Sequence, residues 1–133
     1  MKRKRTSIET AKRYAEWCRR GTPDPDPDPL YGAWLSVTKL TEDDPEEAWR
    51  TLLDAVAQMD VSEELALDQL GADALESLLA HHGDAFLDRA EQAAREDRRV
   101  CLALRGVWLF DSPIRPRLNA LLTECDARPA WLS

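Results

Sequence analysis

Periodicity restricts this chain more than any other feature. Apolar residues recur at helical spacing along its length, and no segment sustains the period-two alternation of a half-buried strand. Trp49, Leu52, Leu53 and Val56 fall at i, i+3, i+4 and i+7. Ahead of them Asp44 supplies a cap, Pro45 a first-turn residue, and Glu46 and Glu47 the negative charge that suits a helix N-terminus. Similar stripes are carried by Leu30, Trp34 and Val37, by Leu75, Leu78, Leu79 and His82, by Phe86, Leu87 and Ala90, by Val100, Cys101 and Leu104, and by Leu118, Leu121, Leu122 and Cys125. Asp73 and Asp84 read as caps, and Gly71 and Gly83 as stops. The pattern predicts an all-α fold, a compact bundle of about seven to eight short helices packed as antiparallel or orthogonal pairs. Ala33-Trp34 and Ala48-Trp49 open consecutive helices 15 residues apart, which hints at a helical repeat.

The segments differ in composition. Residues 1–22 read as a basic helix, with Ile8, Ala11, Ala15 and Cys18 on a thin apolar stripe that predicts weak docking. Residues 23–29 alternate Pro with Asp, so each Asp is pushed from the α region by the Pro after it. That stretch predicts a polyproline II spacer of roughly 22 Å. Residues 30–126 carry the strong stripes and form the expected helical domain, and 127–133 form a C-terminal tail. On this reading the arm and spacer are dispensable for folding.

A net charge of −7 hides an asymmetry, because residues 1–20 carry eight basic and two acidic side chains, about +6, against about −13 in the remainder. An acidic body repels nucleic acid and attracts cationic partners. Cys18, Cys101 and Cys125 are odd in number and lie on apolar faces, which predicts free thiols, no disulfide and a reducing cytoplasm. No apolar run approaches the roughly 18 residues that span a bilayer, and no apolar region follows the basic Met1–Arg5, so neither membrane nor secretion is expected.

The stretch Gly71 to Trp108 resembles a family of small bacterial proteins classed as a domain of unknown function. That family's pattern has a Gly-Pro-Leu-Glu opening, a Leu-Leu-x-x-His-Gly turn, and then Ala-Leu-x-x-Val-Trp. Leu75-Glu76, Leu78-Leu79, His82-Gly83, Ala103-Leu104 and Val107-Trp108 match it, while Asp73-Ala74 stand where the family has Gly-Pro. With the segments around Trp34 and Trp49, the resemblance extends over roughly residues 30–122. It implies an all-helical bacterial domain, and it implies no activity.

Chemistry-bearing motifs are scarce. Counting from Asp24, the glycine and bidentate glutamate positions of a calcium loop fall on Pro29 and Leu35. His81 and His82 are adjacent on a helix, about 100° apart, and cannot chelate one ion as an i, i+4 pair does. His82 reads as a core-facing histidine bonded to backbone at the Gly83 turn. A dyad of His82 with Cys101 or Cys125 is open to the fold, although nothing marks either thiol as activated. Trp34, Trp49 and Trp108 read as core residues on helical stripes, while Trp17 is less clear.

These observations predict no catalytic, cofactor or metal site. The expected function is that of a non-enzymatic protein-binding module, immunity- or antitoxin-like, that neutralises a partner with a basic surface. The alternative is a nucleic-acid-associated regulator using residues 1–20 as a basic arm, and a third reading is an enzyme assembled from scattered residues. Candidate interaction residues are Trp131, which either caps the bundle or docks into a partner, and Lys2, Arg3, Lys4 and Arg5. Those four cations either touch phosphates or fold onto the acidic body.

Overall fold

The computed structural model describes residues 2–20, 29–109 and 111–127, with side-chain surroundings for 8–20, 30–109 and 111–126. The 23–29 spacer, apart from Pro29, and the tail beyond Ala127 lie outside the described residues, as do the side chains of Lys2 to Arg5. No strand occurs among the described residues, so the fold is all-α. Helices run over Lys2–Arg20 (α1), Pro29–Asp43 (α2), Pro45–Ala57 (α3), Arg98–Leu104 (α5) and Arg115–Ala127 (α6). Between α3 and α5 one long run, α4, joins three sections: Glu64–Leu70, a π turn Gly71–Leu75, and Glu76–Glu96. The count is therefore six helices, not the seven to eight expected.

The difference lies in α4. Gly71 and Asp73 were expected to end one helix and open the next, but the backbone passes through both as a single wide turn. The boundary expected at Gly83 and Asp84 is present as a kink between two helical stretches of this run. The break falls one residue earlier, at His82, whose φ of −138° and ψ of 32° kink a run that then resumes. Gly83 itself is buried. Its missing side chain leaves room for Ile114, whose Cγ2 would lie 3.2 Å from an added Cβ.

The cap expected at Asp44 is present, and the structure adds one at Asp97. Asp44 leaves helical geometry, accepts a bond from the Glu47 amide at 3.3 Å, and separates α2 from α3. Asp97 caps α5 by accepting from the Arg99 amide at 2.9 Å. Each such cap satisfies an amide that has no partner inside its helix.

Helix α1 is part of the core, which corrects the expectation of weak docking. It packs on α2, α3 and the first section of α4. Ala11, Tyr14, Ala15, Trp17 and Cys18 are all buried, and Ile8, counted into the stripe, is exposed. Tyr14 and Trp17 are the largest of these buried side chains, and large aromatic rings dominate burial energetics. Arg19 reinforces the contact through Glu63 at 2.5 Å.

The core continues through Leu52, Leu67, Leu70, Leu78, Leu79, Leu87, Leu104 and Leu118, all close to fully buried. Each such leucine contributes about 1.5–3 kcal/mol relative to exposure. Helix α5 lies on the first section of α4 at a crossing that only glycine permits. A Cβ on Gly71 would sit 1.6 Å from the Ala103 carbonyl oxygen, and one on Gly106 would sit 2.1 Å from that of Asp68.

A second correction concerns the cysteines. Cys101 and Cys125 form a disulfide that joins α5 to α6 with Cα atoms 5.9 Å apart, leaving Cys18 as the one free cysteine. Their wide spacing in sequence concealed the pairing, because the two helices return to the same part of the core.

Candidate functional site

The segment after α5 is held in place from several sides. Helical bonding ends with the Gly106 amide on Ala103 O (3.0 Å) and the Val107 amide on Leu104 O (3.1 Å). The next stretch is not helical, so successive side chains no longer follow a helical stripe. Val107 is buried and Leu109 packs partly against the core, while Trp108 between them is 63% exposed. This overturns the expectation that Trp108 continues the inward face of α5. That expectation extended helical periodicity past the point where the helix stops.

Exposure of Trp108 does not come with a loose backbone. Its amide donates to Glu76 Oε1 at 2.6 Å, and its carbonyl accepts from Arg115 Nη1 at 2.9 Å. The same Arg115 nitrogen donates to Val107 O at 3.1 Å. Leu109 has a φ of 21°, a strained position for a residue with a side chain, and such positions persist only where surrounding structure over-determines them. Gly106, pressed on Asp68, fixes the other end. Glu76 and Trp108, both positions of the family-like motif and 32 residues apart, thus meet through a hydrogen bond.

Next to this loop, on the first section of α4, Leu65 is 88% exposed. It lines a cleft of about 250 Å³ with Glu64, Asp68, Leu102 and Arg105. Arg105 is ion-paired to Asp126.

A second polar centre lies at the π turn. Tyr14 donates its hydroxyl proton to Asp73 Oδ2 at 2.6 Å and accepts from the Ala74 amide at 3.2 Å, while Trp34 Nε1 donates to Asp73 Oδ1 at 3.1 Å. The widened turn brings the Ala74 amide to a side chain of α1. Burial raises the Asp73 carboxyl above its ordinary range against the lowering effect of those two donors. Burial also raises Tyr14 and Cys18, with Asp73 adding to both. Tyr31, Trp34, Trp17 and Tyr14 stack in sequence, with ring centroids 5.5–5.8 Å apart. Tyr14 is inaccessible and Asp73 only partly buried, and the cluster ties α1 to α2 and α4.

The third place is the His82 kink. A cleft of about 300 Å³ is lined there by Leu79 through Ala85 and by Ser112, Pro113 and Ile114. His81 is exposed, and its Nδ1 lies 2.8 Å from Ser77 O. His82 Nε2 is buried with no hydrogen-bond partner, contrary to the expected backbone bond, and the ring packs edge-on to Phe86. The dyad of His82 with a thiol does not form, since Cys101 and Cys125 pair with each other. Among the described residues no three His, Cys, Asp or Glu side chains converge to hold a metal ion. No helix among them is long and apolar enough to cross a membrane.

Of the residues singled out in the sequence, Trp131 lies outside the described residues, as do the side chains of Lys2, Arg3, Lys4 and Arg5. The residues that the structure does bring together, Glu76 with Trp108 and Tyr14 with Asp73, carried no signal as pairs. Comparison with curated proteins and with solved structures finds no match to this chain. A family described as "Family of unknown function (DUF6869)" matches residues 21–125, and the chain belongs to that family.

Proposed function

We propose that this protein is a non-enzymatic protein-binding module whose anchor is Trp108 and whose partner presents a basic surface. The observation that carries the reading is a tryptophan, 63% exposed, on a backbone pinned at its amide by Glu76 and at its carbonyl by Arg115. Interface energy concentrates in a few aromatic or arginine anchors. An anchor held in place before binding loses little conformational freedom on contact. The acidic balance outside α1 supports a cationic partner through long-range steering. An immunity- or antitoxin-like neutraliser fits these requirements.

The nucleic-acid reading has one supporting observation. Docking of α1 leaves Lys12 and Arg13 exposed on its outer face. Arg19, by contrast, is engaged with Glu63 and the Gln58 carbonyl.

The test is capture from the source organism with the full chain, with Trp108→Ala, and with Lys12→Glu/Arg13→Glu. The proposal expects a basic protein, retained by the charge-reversed chain and lost with Trp108→Ala. Nucleic acid retained by Trp108→Ala and lost on charge reversal would establish the other reading.

A further inference from the structure

We infer that the Cys101–Cys125 disulfide is a redox latch: oxidised, it holds α6 and the Trp108 loop in their ordered arrangement, and reduced by a dithiol it releases both. The consequence for partner binding rests on the protein-binding reading, but the coupling itself does not.

The latch follows from where the bond closes. Its cysteines are 24 residues apart, and the ring they close contains the end of α5, the Trp108 loop and α6 as far as its last turn. A cross-link restricts the opened states of the segment it encloses. Trp108 lies inside the ring, and so does Arg115, which donates to the Val107 and Trp108 carbonyls. Arg115 begins α6 and Cys125 stands near its end. Ten helical residues, roughly 15 Å, join the two as one stiff element. Loss of the hold at Cys125 therefore reaches Arg115, and through it the Trp108 loop.

The non-covalent hold on α6 is modest. Besides Cys125 the helix buries Leu118 and Leu121, with Ile114 just ahead of it. Its ion pairs Arg95–Glu124, Arg105–Asp126 and Arg117–Asp88 are exposed, and such pairs contribute little. Helices α1 to α4 lie outside the ring.

Both cysteines are buried, so a reductant gains access through fraying of the last turn of α6. Its thiolate attacks Cys125 Sγ, the S–S bond breaks, and Cys101 leaves as a thiolate that takes up a proton. The second thiol of the reductant then displaces Cys125, which takes up the other proton, and the reductant closes its own disulfide. Two electrons and two protons pass from the reductant's thiols to the protein. The reduced state has an acceptor in place, because the Ala94 carbonyl oxygen on α4 lies 3.4 Å from Cys101 Sγ. That sulfur has no proton to give in the disulfide, and as a thiol it donates to the carbonyl.

The experiment is amide hydrogen exchange of the ¹⁵N-labelled full chain, oxidised and in dithiothreitol. Opening at Leu118, Leu121 and Trp108 should rise on the order of a hundredfold on reduction, the effect of cutting a ring of this size. In the reduced chain these three amides should open at least about tenfold more readily than Leu52 and Ala55 of α3. Arg115→Gln should raise Trp108 exchange in the oxidised chain and remove its redox response, while Leu118 and Leu121 keep theirs. Equal opening of α3 and α6 in the reduced chain means a global loss of stability and overturns the latch. Faster exchange in α6 with Trp108 unchanged overturns it as well, as does no change on reduction. If Arg115→Gln does not fold, the oxidised and reduced natural chains decide by themselves. Failure of the protein-binding reading shows elsewhere, as full-strength capture of the natural partner by Trp108→Ala.

Discussion

Replacing Gly71 with alanine places a Cβ 1.6 Å from the Ala103 carbonyl oxygen and 2.7 Å from its carbon, both backbone atoms of a helix. Real Cβ contacts do not fall below 3.0 Å, so α5 and α4 must separate by roughly 1.5 Å or α4 must bend. A gap of about 0.5–1 Å already removes a quarter to a half of each dispersion contact, and the loss extends to all side chains packed between the helices. Alanine gains about 1 kcal/mol over glycine in helix propensity, far too little to offset this. The expected net loss is at least about 3 kcal/mol, or about 12 °C in Tm for a chain of this size. Gly32→Ala is the control. Nothing lies within 4 Å of the Cβ it adds inside α2, so it should raise Tm by a few degrees. Gly83→Ala should fall between them, since it meets only the flexible Ile114 side chain at 3.2 Å. Thermal melts followed by circular dichroism rank the three. If Gly71→Ala melts with Gly32→Ala, the close crossing of α4 and α5 is wrong.

Four further outcomes follow from the same packing. Reduction of the Cys101–Cys125 disulfide, whose partners are 24 residues apart, should destabilise by about 3 kcal/mol, and a melt with reductant that overlays the oxidised one would contradict the pairing. Deleting residues 1–20 removes buried Tyr14, Trp17 and Cys18 and should abolish cooperative unfolding, although this segment lies outside the family match. Tyr14→Phe leaves the Ala74 amide without its acceptor and should cost about 1–3 kcal/mol in urea denaturation. The raised Asp73 carboxyl binds its proton more tightly folded than unfolded, so its contribution to stability falls as pH rises from its ordinary value of 3.8 through the folded value and is level above. Asp73→Asn should flatten that part of the stability–pH curve, and an unchanged slope would place Asp73 in solvent.

What could be read from the sequence was local. Asp44 with Pro45, and the stripes of α3 and α6, act within a single helix, and there the structure agrees with the pattern. The failures share a physical cause, which is that a tertiary contact overrode a local signal. Gly71 resembles a helix stop, yet it is glycine because Ala103 leaves no room for a side chain. Tyr14 and Trp17 have polar tips, which made α1 look thinly apolar until Asp73 received the Tyr14 hydroxyl. Trp108 continues the periodicity of α5 on paper, but the helix ends at Leu104 and the indole faces outward. Cys101 and Cys125 meet only because α6 packs back on α5. The candidate site was the least legible part, since Glu76, Arg115 and Trp108 are united through backbone atoms that residue type does not specify.

The most direct measurement of the central claim is the affinity of the captured partner for the full chain and for Trp108→Ala, by calorimetry at one salt concentration. A central aromatic anchor is worth about 2 kcal/mol or more, so the account predicts a loss of roughly thirtyfold or greater with an unchanged melting curve. Affinities within a factor of two of each other would contradict it.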